Sequence, residues 1–288
     1  MTIKVNKSGE GTKVGKRKGV IAGTYEILRK KRLFTYPKDK VWKKRKERTS
    51  TGVPQFDEAL GGGLPKGITV AYGDAGSGKS MFGRLLAEHH GKKAMYIFTE
   101  TDDDAPTKGS GVTPYDYTDE KPKWDRALME LMTLIDGGDS DIVVIDSATA
   151  FFSISGTAVP ETQLRKCMLK LHTTYRDKVI YVTSEMAGRG FNKGTSGGPG
   201  VEHRCSMLME FEHVLIDYPN QEKAYDTDIG DEVYCLRVVK DKQGRADTKR
   251  WKVVYDKDED SVTDLIRVEK RSRVKVVEDD DDDDEDGW

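Results

Sequence analysis

Residues 73–80, Gly-Asp-Ala-Gly-Ser-Gly-Lys-Ser, satisfy the pattern G-x-x-x-x-G-K-[ST]. Each residue type answers a need of phosphate binding. Gly73, Gly76 and Gly78 let main-chain N–H groups wrap phosphate oxygens without a Cβ in the way, and Asp74, Ala75 and Ser77 complete the cradle. A helix opening at the end of the loop adds the positive end of its dipole. Lys79 is spaced to reach the β- and γ-phosphates and the Ser80 hydroxyl to ligate Mg2+, so the implied ligands are ATP and Mg2+. The apolar run DIVVID ends in Asp146, which either holds Mg2+ or caps the following turn. Glu100 directly follows the apolar run AMYIFT. A carboxylate there polarises the water attacking the γ-phosphate and makes Glu100 and Lys79 the catalytic candidates; the plainer alternative is a solvated loop acid.

Such groups act together only if a frame brings them to one edge. Ile68–Tyr72, Ala94–Phe98, Asp141–Asp146 and Val179–Thr183 are apolar runs of strand length. Between them, Lys79–His90 reads as a helix, and so do the stripes Trp124, Leu128, Leu131, Ile135 and Leu164, Cys167, Leu171, Tyr175. Residues 101–122, rich in Asp, Gly and Pro, read as a long loop. Alternating strands and helices predict an α/β fold with a doubly wound, mostly parallel sheet, whose carboxyl edge collects Gly73, Glu100 and Asp146. Ser206–Ile216, Val233–Lys240 and Arg250–Tyr255 read as strands extending the sheet antiparallel at its C-terminal edge.

Charge divides the 288 residues into three parts: a basic arm, 1–49; a core, 50–277; and an acidic tail, 278–288. Residues 1–50 hold 17 Lys/Arg against 4 Asp/Glu, whereas 278–286 are EDDDDDDED, although the whole chain nets only −2. A basic arm seeks phosphate and an acidic tail seeks a basic surface; the bland alternative for both is a solvated end. Within the arm, Trp42 sits among cations in KDKVWKKRKER, where it either stacks on bases of a single strand or docks the arm on the core. Cys167, Cys205 and Cys235 are odd in number and widely spaced, which fits reduced thiols in a cytoplasmic protein and gives no zinc pattern. No apolar run reaches bilayer-spanning length and the N-terminus shows no secretory signal, so no membrane partner is expected.

The ordered set of motifs resembles the RecA superfamily. STGVPQFDEALGGGLPKGITVAYGDAGSGKS (50–80) is similar to the opening of the archaeal RadA/RadB and KaiC-like ATPase core, and Tyr96–Glu100 resembles the strand that carries the family's catalytic glutamate. Gly197-Gly198-Pro199-Gly200-Val201-Glu202-His203-Arg204 resembles the segment closing the second DNA-binding loop, and Val238-Val239-Lys240-Asp241-Lys242 the one whose lysines reach the ATP of a neighbouring subunit. The resemblance spans about residues 50–256 and implies a RecA-type fold, ATP bound between protomers of a filament or ring, and contact with single-stranded DNA. Residues 187–200 (AGRGFNKGTSGGPG) contain six glycines, and Arg189, Lys193 and Phe191 would meet phosphates and bases there beside Gly197 and Gly198; the alternative is a surface loop with no ligand. Lys240 and Lys242, two apart on a strand, project from one face and suit an in-trans clamp, or are an ordinary solvated strand end.

The sequence also departs from the family. Ser184-Glu185 stands where strand-exchange proteins carry a γ-phosphate-sensing Asn or Gln, and Glu185 there resembles KaiC-type proteins instead; Phe34 of the arm is followed by Thr-Tyr-Pro and so gives no Phe-x-x-Ala polymerisation motif there, and the resemblance does not extend to the recombinases' extra DNA-binding domain. The tail, ending in Trp288, resembles those of single-stranded-DNA-binding proteins and implies docking on a replication or recombination protein. The expected function is a DNA-dependent ATPase of the short RecA-core kind, acting in recombination, repair or replication by pairing, annealing or exchanging strands. The alternatives are a DnaB-type ring helicase, a weakly catalytic ATP-binding mediator and a KaiC-like signalling ATPase.

Overall fold

The apolar runs become neighbouring parallel strands: β3 (Gly67–Gly73), β4 (Ala94–Phe98), β6 (Ile142–Asp146) and β7 (Val179–Ala187). Every residue of β3, β4 and β6 is buried, as strands covered on both faces require. The computed structural model describes residues 47–99, 105–116, 124–152, 161–187, 194–195, 198–256 and 261–268. All described elements fall within one unit, residues 45–288. The basic arm up to residue 46, Glu100, Arg189, Phe191, Lys193, Gly197 and the acidic tail with Trp288 lie outside the described residues.

Among the described residues, helices cover both faces of the sheet. On one lie α1 (Pro54–Ala59) and α2 (Lys79–His90), whose Phe56, Phe82 and Leu86 pack against Tyr96, Tyr181 and Phe211. On the other lie α3 (Trp124–Gly137), α4 (Ala148–Phe151), α5 (Glu161–Thr174) and α6 (Gly198–Glu202). Leu131 and Ile135 of α3, Leu164, Cys167 and Leu171 of α5, and Val201 of α6 bury their side chains there, so the apolar stripes face the sheet as their spacing predicts.

The remaining strands are β1 (Arg48–Thr49), β2 (Leu64–Pro65), β5 (Thr113–Asp116), β8 (Gly194–Thr195), β9 (Met207–Leu215), β10 (Glu232–Asp241), β11 (Arg250–Asp256) and β12 (Ser261–Val268). A short helix, α7 (Pro219–Tyr225), joins β9 to β10. The main sheet runs β12-β11-β10-β9-β3-β7-β6-β4-β5, with β8 antiparallel to the end of β7, and β1 and β2 form a separate antiparallel pair. From β9 through β12 neighbouring strands are antiparallel; from β9 through β5 they are parallel.

Three features differ from the sequence reading. The stretch 101–122 contains β5, a parallel edge strand beside β4; its Pro114 and exposed side chains give it no apolar run. The first C-terminal strand, β9, is parallel to β3, so the reversal falls one strand later than expected, between β9 and β10. β12, in which the exposed polar residues Thr263 and Asp264 separate Val262 from Leu265, extends the sheet by a strand that the reading omitted.

Candidate nucleotide site

The phosphate-cradle residues lie where β3 gives way to α2. Gly73 ends β3 against β9: a Cβ built on it would sit 2.0 Å from the carbonyl oxygen of Phe211, so no other residue fits this close approach. Gly78 adopts φ +93° at the N-cap of α2, and its carbonyl accepts the Phe82 amide at 3.0 Å. The chain therefore turns tightly and presents the start of α2 to the loop's concave side. Tyr181 of β7 donates its hydroxyl to the Lys79 carbonyl oxygen at 2.9 Å and pins the first turn of α2 to the sheet. Burial, helped by the nearby Asp146 charge, holds that phenol well above its ordinary range, so it remains a donor.

Lys79 Nζ donates to the carbonyl oxygens of Gly73 (3.1 Å) and Asp74 (2.7 Å) and lies 3.3 Å from Ser77 Oγ. These are neutral acceptors, and phosphate oxygens make stronger, charge-assisted partners for an ammonium. Across the cleft, Asp146 ends β6 almost fully buried. Its Oδ2 accepts the Tyr96 hydroxyl at 2.8 Å and its Oδ1 accepts the Thr183 hydroxyl. The carboxylate is thus fixed by two strands at once, β4 and β7, with acceptor capacity to spare.

Thr99, directly after β4, locks that strand end to β6. Its amide donates to the Asp146 carbonyl oxygen at 2.8 Å, and its Oγ1 accepts the Ser147 amide at 2.9 Å. The Asp146–Ser147 peptide is cis. Glu185 follows Ser184 at the end of β7, level with Gly73 on β3, and lines the same cleft, whose volume is about 540 Å3. The cleft brings together Gly73, Asp74, Ala75, Gly76, Ser77, Gly78, Lys79, Ser80 and Asp146 of the residues singled out in the sequence. The glycine cradle that a Cβ would fill, the lysine, the hydroxyl and the fixed carboxylate together fit a nucleoside triphosphate with its magnesium ion.

Tyr96, Thr99, Tyr181 and Thr183, which hold Asp146, the end of β6 and the start of α2, are supporting residues that sequence reasoning missed. Their signal was present: each is a buried polar side chain within or directly after an apolar run of strand length, where its hydroxyl requires a partner.

Lys240 and Lys242 do not line the cleft of their own chain. Lys240 Nζ donates to the carbonyl oxygen of Glu202 and Lys242 Nζ to that of Arg204 at 3.0 Å, so both reach the C-terminal end of α6. Gly198 opens α6 with φ +60°, and α6 packs on α5 so closely that a Cβ on Gly200 would lie 2.2 Å from Arg165 Cδ.

Comparison with known proteins places this geometry. The chain is 25% identical over 198 residues to the DNA repair protein RadA of Aquifex aeolicus, covering 66% of this chain and 44% of that protein. It is 35% identical over 138 residues to the mitochondrial DNA repair protein recA homolog 3 of Arabidopsis thaliana, covering 46% of this chain and 30% of that one. The KaiC-like protein PH0186 of Pyrococcus horikoshii shares the fold with a TM-score of 0.56 at 17% identity, over 77% of this chain and 98% of that structure. In sequence the chain is similar to these RadA and recA-homolog proteins, and in fold to a KaiC-like protein. No family model matches it. The chain spans less than half the length of these two curated relatives. The mostly parallel sheet with an antiparallel C-terminal side is the RecA-type arrangement. Among the described residues, no helix is long and apolar enough to cross a membrane.

Proposed function

We propose that this chain is a recombinase-like ATPase that binds single-stranded DNA and assembles into a filament or ring with ATP between protomers, serving recombination, repair or replication. The observation that carries the reading is a phosphate cleft complete in Lys79, Ser80 and Asp146 whose two candidate in-trans cations, Lys240 and Lys242, sit elsewhere on the chain. A second copy brought head to tail would supply them. Its support for DNA is coarser: relatives named as DNA repair proteins, a basic arm, and the glycine-rich stretch carrying Arg189, Phe191, Lys193, Gly197 and Gly198.

In this reading the cradle amides and Lys79 bind the β- and γ-phosphates, and Ser80 and Asp146 hold Mg2+. When bound, Mg2+ offsets charge on the phosphate oxygens. Tyr96 and Thr183 keep the Asp146 carboxylate oriented. Glu100, next after the anchored Thr99, takes the attacking water's proton. The acidic tail and Trp288 dock on a basic replication or recombination protein.

Glu185 favours a second reading. A carboxylate lines the cleft where an amide would sense the γ-phosphate, which suits an ATP-binding mediator with slow turnover. Steady-state ATP hydrolysis with and without single-stranded DNA, with Lys79→Ala as the blank, separates the two. Strong stimulation by DNA supports the recombinase-like reading. Nucleotide binding with hydrolysis indifferent to DNA supports the mediator, and directional unwinding of a forked duplex would replace both with a ring helicase.

A further inference from the structure

We infer that Arg48 is a positioning residue for the nucleotide site of the neighbouring protomer, acting through Asp241 on Lys240 and Lys242. The inference rests on the function proposed above. It starts from a buried ion pair that joins distant parts of the chain. Arg48 in β1 places Nη2 2.6 Å from Asp241 Oδ2, and the two side chains are 3% and 2% exposed. Nη1 of the same guanidinium donates to the Gly63 carbonyl oxygen at 3.0 Å.

Asp241 takes more than this one partner. Its Oδ1 accepts the Gln243 amide at 2.9 Å, and its Oδ2 accepts the amides of Arg245 at 2.7 Å and Ala246 at 2.9 Å. Burial on its own would raise the carboxyl's pKa, but the three amides and the guanidinium outweigh it and lower it. Asp241 is therefore the hub of the turn that follows β10, and Arg48 fastens that hub to the β1–β2 pair.

The hub lies between the two lysines, and local strand geometry makes it decide where they point. The β9–β10 register shifts between Val238 and Lys240. This extra residue puts Lys240 opposite Leu208, on the α6 side of the sheet, and Asp241 opposite Met207, on the α2 side. Without it, the alternation along β10 would turn Lys240 towards the other face. With Asp241 drawn to one face by Arg48, Lys240 and Lys242 both emerge on the other and seat on the carbonyl oxygens of Glu202 and Arg204. Those neutral seats are ones that nucleotide phosphates can outcompete. A buried ion pair is weak grounds for stability, because desolvation offsets most of its attraction; fixing one geometry is its better-attested use.

Subunit mixing tests the inference. The variants are Arg48→Ala, the charge-free pair Arg48→Met with Asp241→Asn, the double Lys240→Ala with Lys242→Ala, and Lys79→Ala. Each is assayed alone and in equimolar mixture with Lys79→Ala for DNA-stimulated ATP turnover, with thermal melting and binding of a fluorescent ATP analogue alongside. The Arg48 variants alone should lose at least about tenfold in kcat while binding the analogue as wild type does, an interaction used mainly in the transition state. Mixed with Lys79→Ala, each should recover to about a quarter of wild-type turnover, the share of head-to-tail contacts joining an intact cleft to intact lysines.

The lysine double variant is the control and should recover equally. If it recovers and the Arg48 variants stay inactive, Arg48 does not act on the neighbour and the inference is overturned. Wild-type turnover by the Arg48 variants alone, or loss of folding by the charge-free pair, overturns it as well, the latter assigning the ion pair to stability. If the lysine control itself stays inactive in the mixture, the in-trans reading fails, and the inference falls with it for that separate reason.

Discussion

At the scale of single residues, the cleft is a set of requirements that few side chains meet. Gly73 is the sharpest of them. Gly73→Ala would drive a methyl group to within 2.0 Å of the Phe211 carbonyl oxygen, and backbone on both sides must move to relieve it. Overpacking of this kind costs about 1–3 kcal/mol, occasionally more. The expected outcome is a lower melting temperature together with loss of nucleotide binding, since the displaced strand end carries the cradle. A variant that melts and binds as wild type would show that the close approach is not needed. The residues that gather in the cleft could be picked out in the sequence because phosphate chemistry would dictate both their types and their spacing. The groups that hold Asp146 were not, because Tyr96 and Thr183 come from two other strands, 50 and 37 residues away, and only the folded sheet sets them side by side.

At the scale of elements, the contact of α2 with the sheet governs how Lys79 is presented. Gly83 lies where a Cβ would be 3.0 Å from the Tyr181 ring and 3.1 Å from Val144. Tyr181 also donates to the Lys79 carbonyl oxygen, so pushing the helix outward strains the turn that starts it. Gly83→Val should cost about 1–3 kcal/mol and weaken nucleotide binding with it. Gly137, which ends α3 with nothing within 4 Å of its would-be Cβ, is the matched control. Gly137→Ala should leave binding unchanged and raise stability by about 0.4–1 kcal/mol, by restricting the unfolded chain. Chemical denaturation of both variants, with and without nucleotide, checks the pair. Elements with a helical stripe or a continuous apolar run were legible: α3 and α5, the buried parallel strands, and α2 after its glycine-rich turn. The reversal between β9 and β10 was not, because an apolar run carries no record of strand direction. Nor was β12, whose buried Val262 and Leu265 are three residues apart among exposed Thr263, Asp264, Ile266 and Arg267, a spacing that breaks the period of a strand.

At the scale of the whole molecule, charges far apart in sequence act on one another. Asp241 ties the end of β10 to β1, and its carboxyl is held below its usual range despite burial, by three amides and Arg48. A depressed carboxyl contributes stability above its unfolded-state pKa of about 4, and that contribution is lost as pH falls through the lower folded-state value. Melting temperature should therefore decline as the solution is acidified below about pH 4. Asp241→Asn should be less stable at neutral pH, with a flatter acid limb. An unchanged acid limb in that variant would assign acid sensitivity to other carboxylates.

The two ends of the chain pose the same question over a longer range. Residues 1–50 carry 17 Lys/Arg and 4 Asp/Glu, and residues 278–286 are nine consecutive acids. Opposite charges of this density attract over roughly a Debye length, about 10 Å at 0.1 M salt and about 30 Å at 0.01 M. Whatever basic surface receives a single strand is also open to the tail of the same chain, at an effective concentration that no free competitor matches. Deleting residues 278–288 should then tighten single-stranded-DNA binding, most at low salt and progressively less as salt rises. Because tail and strand compete for the same cations, the truncated chain should also show a steeper dependence of affinity on salt, the mark of more cations released to phosphate. Titration of a labelled oligonucleotide at several salt concentrations reads both quantities. Equal affinities at low salt would mean that the tail does not occupy the DNA surface, and would leave docking on a basic partner through Trp288 as its use.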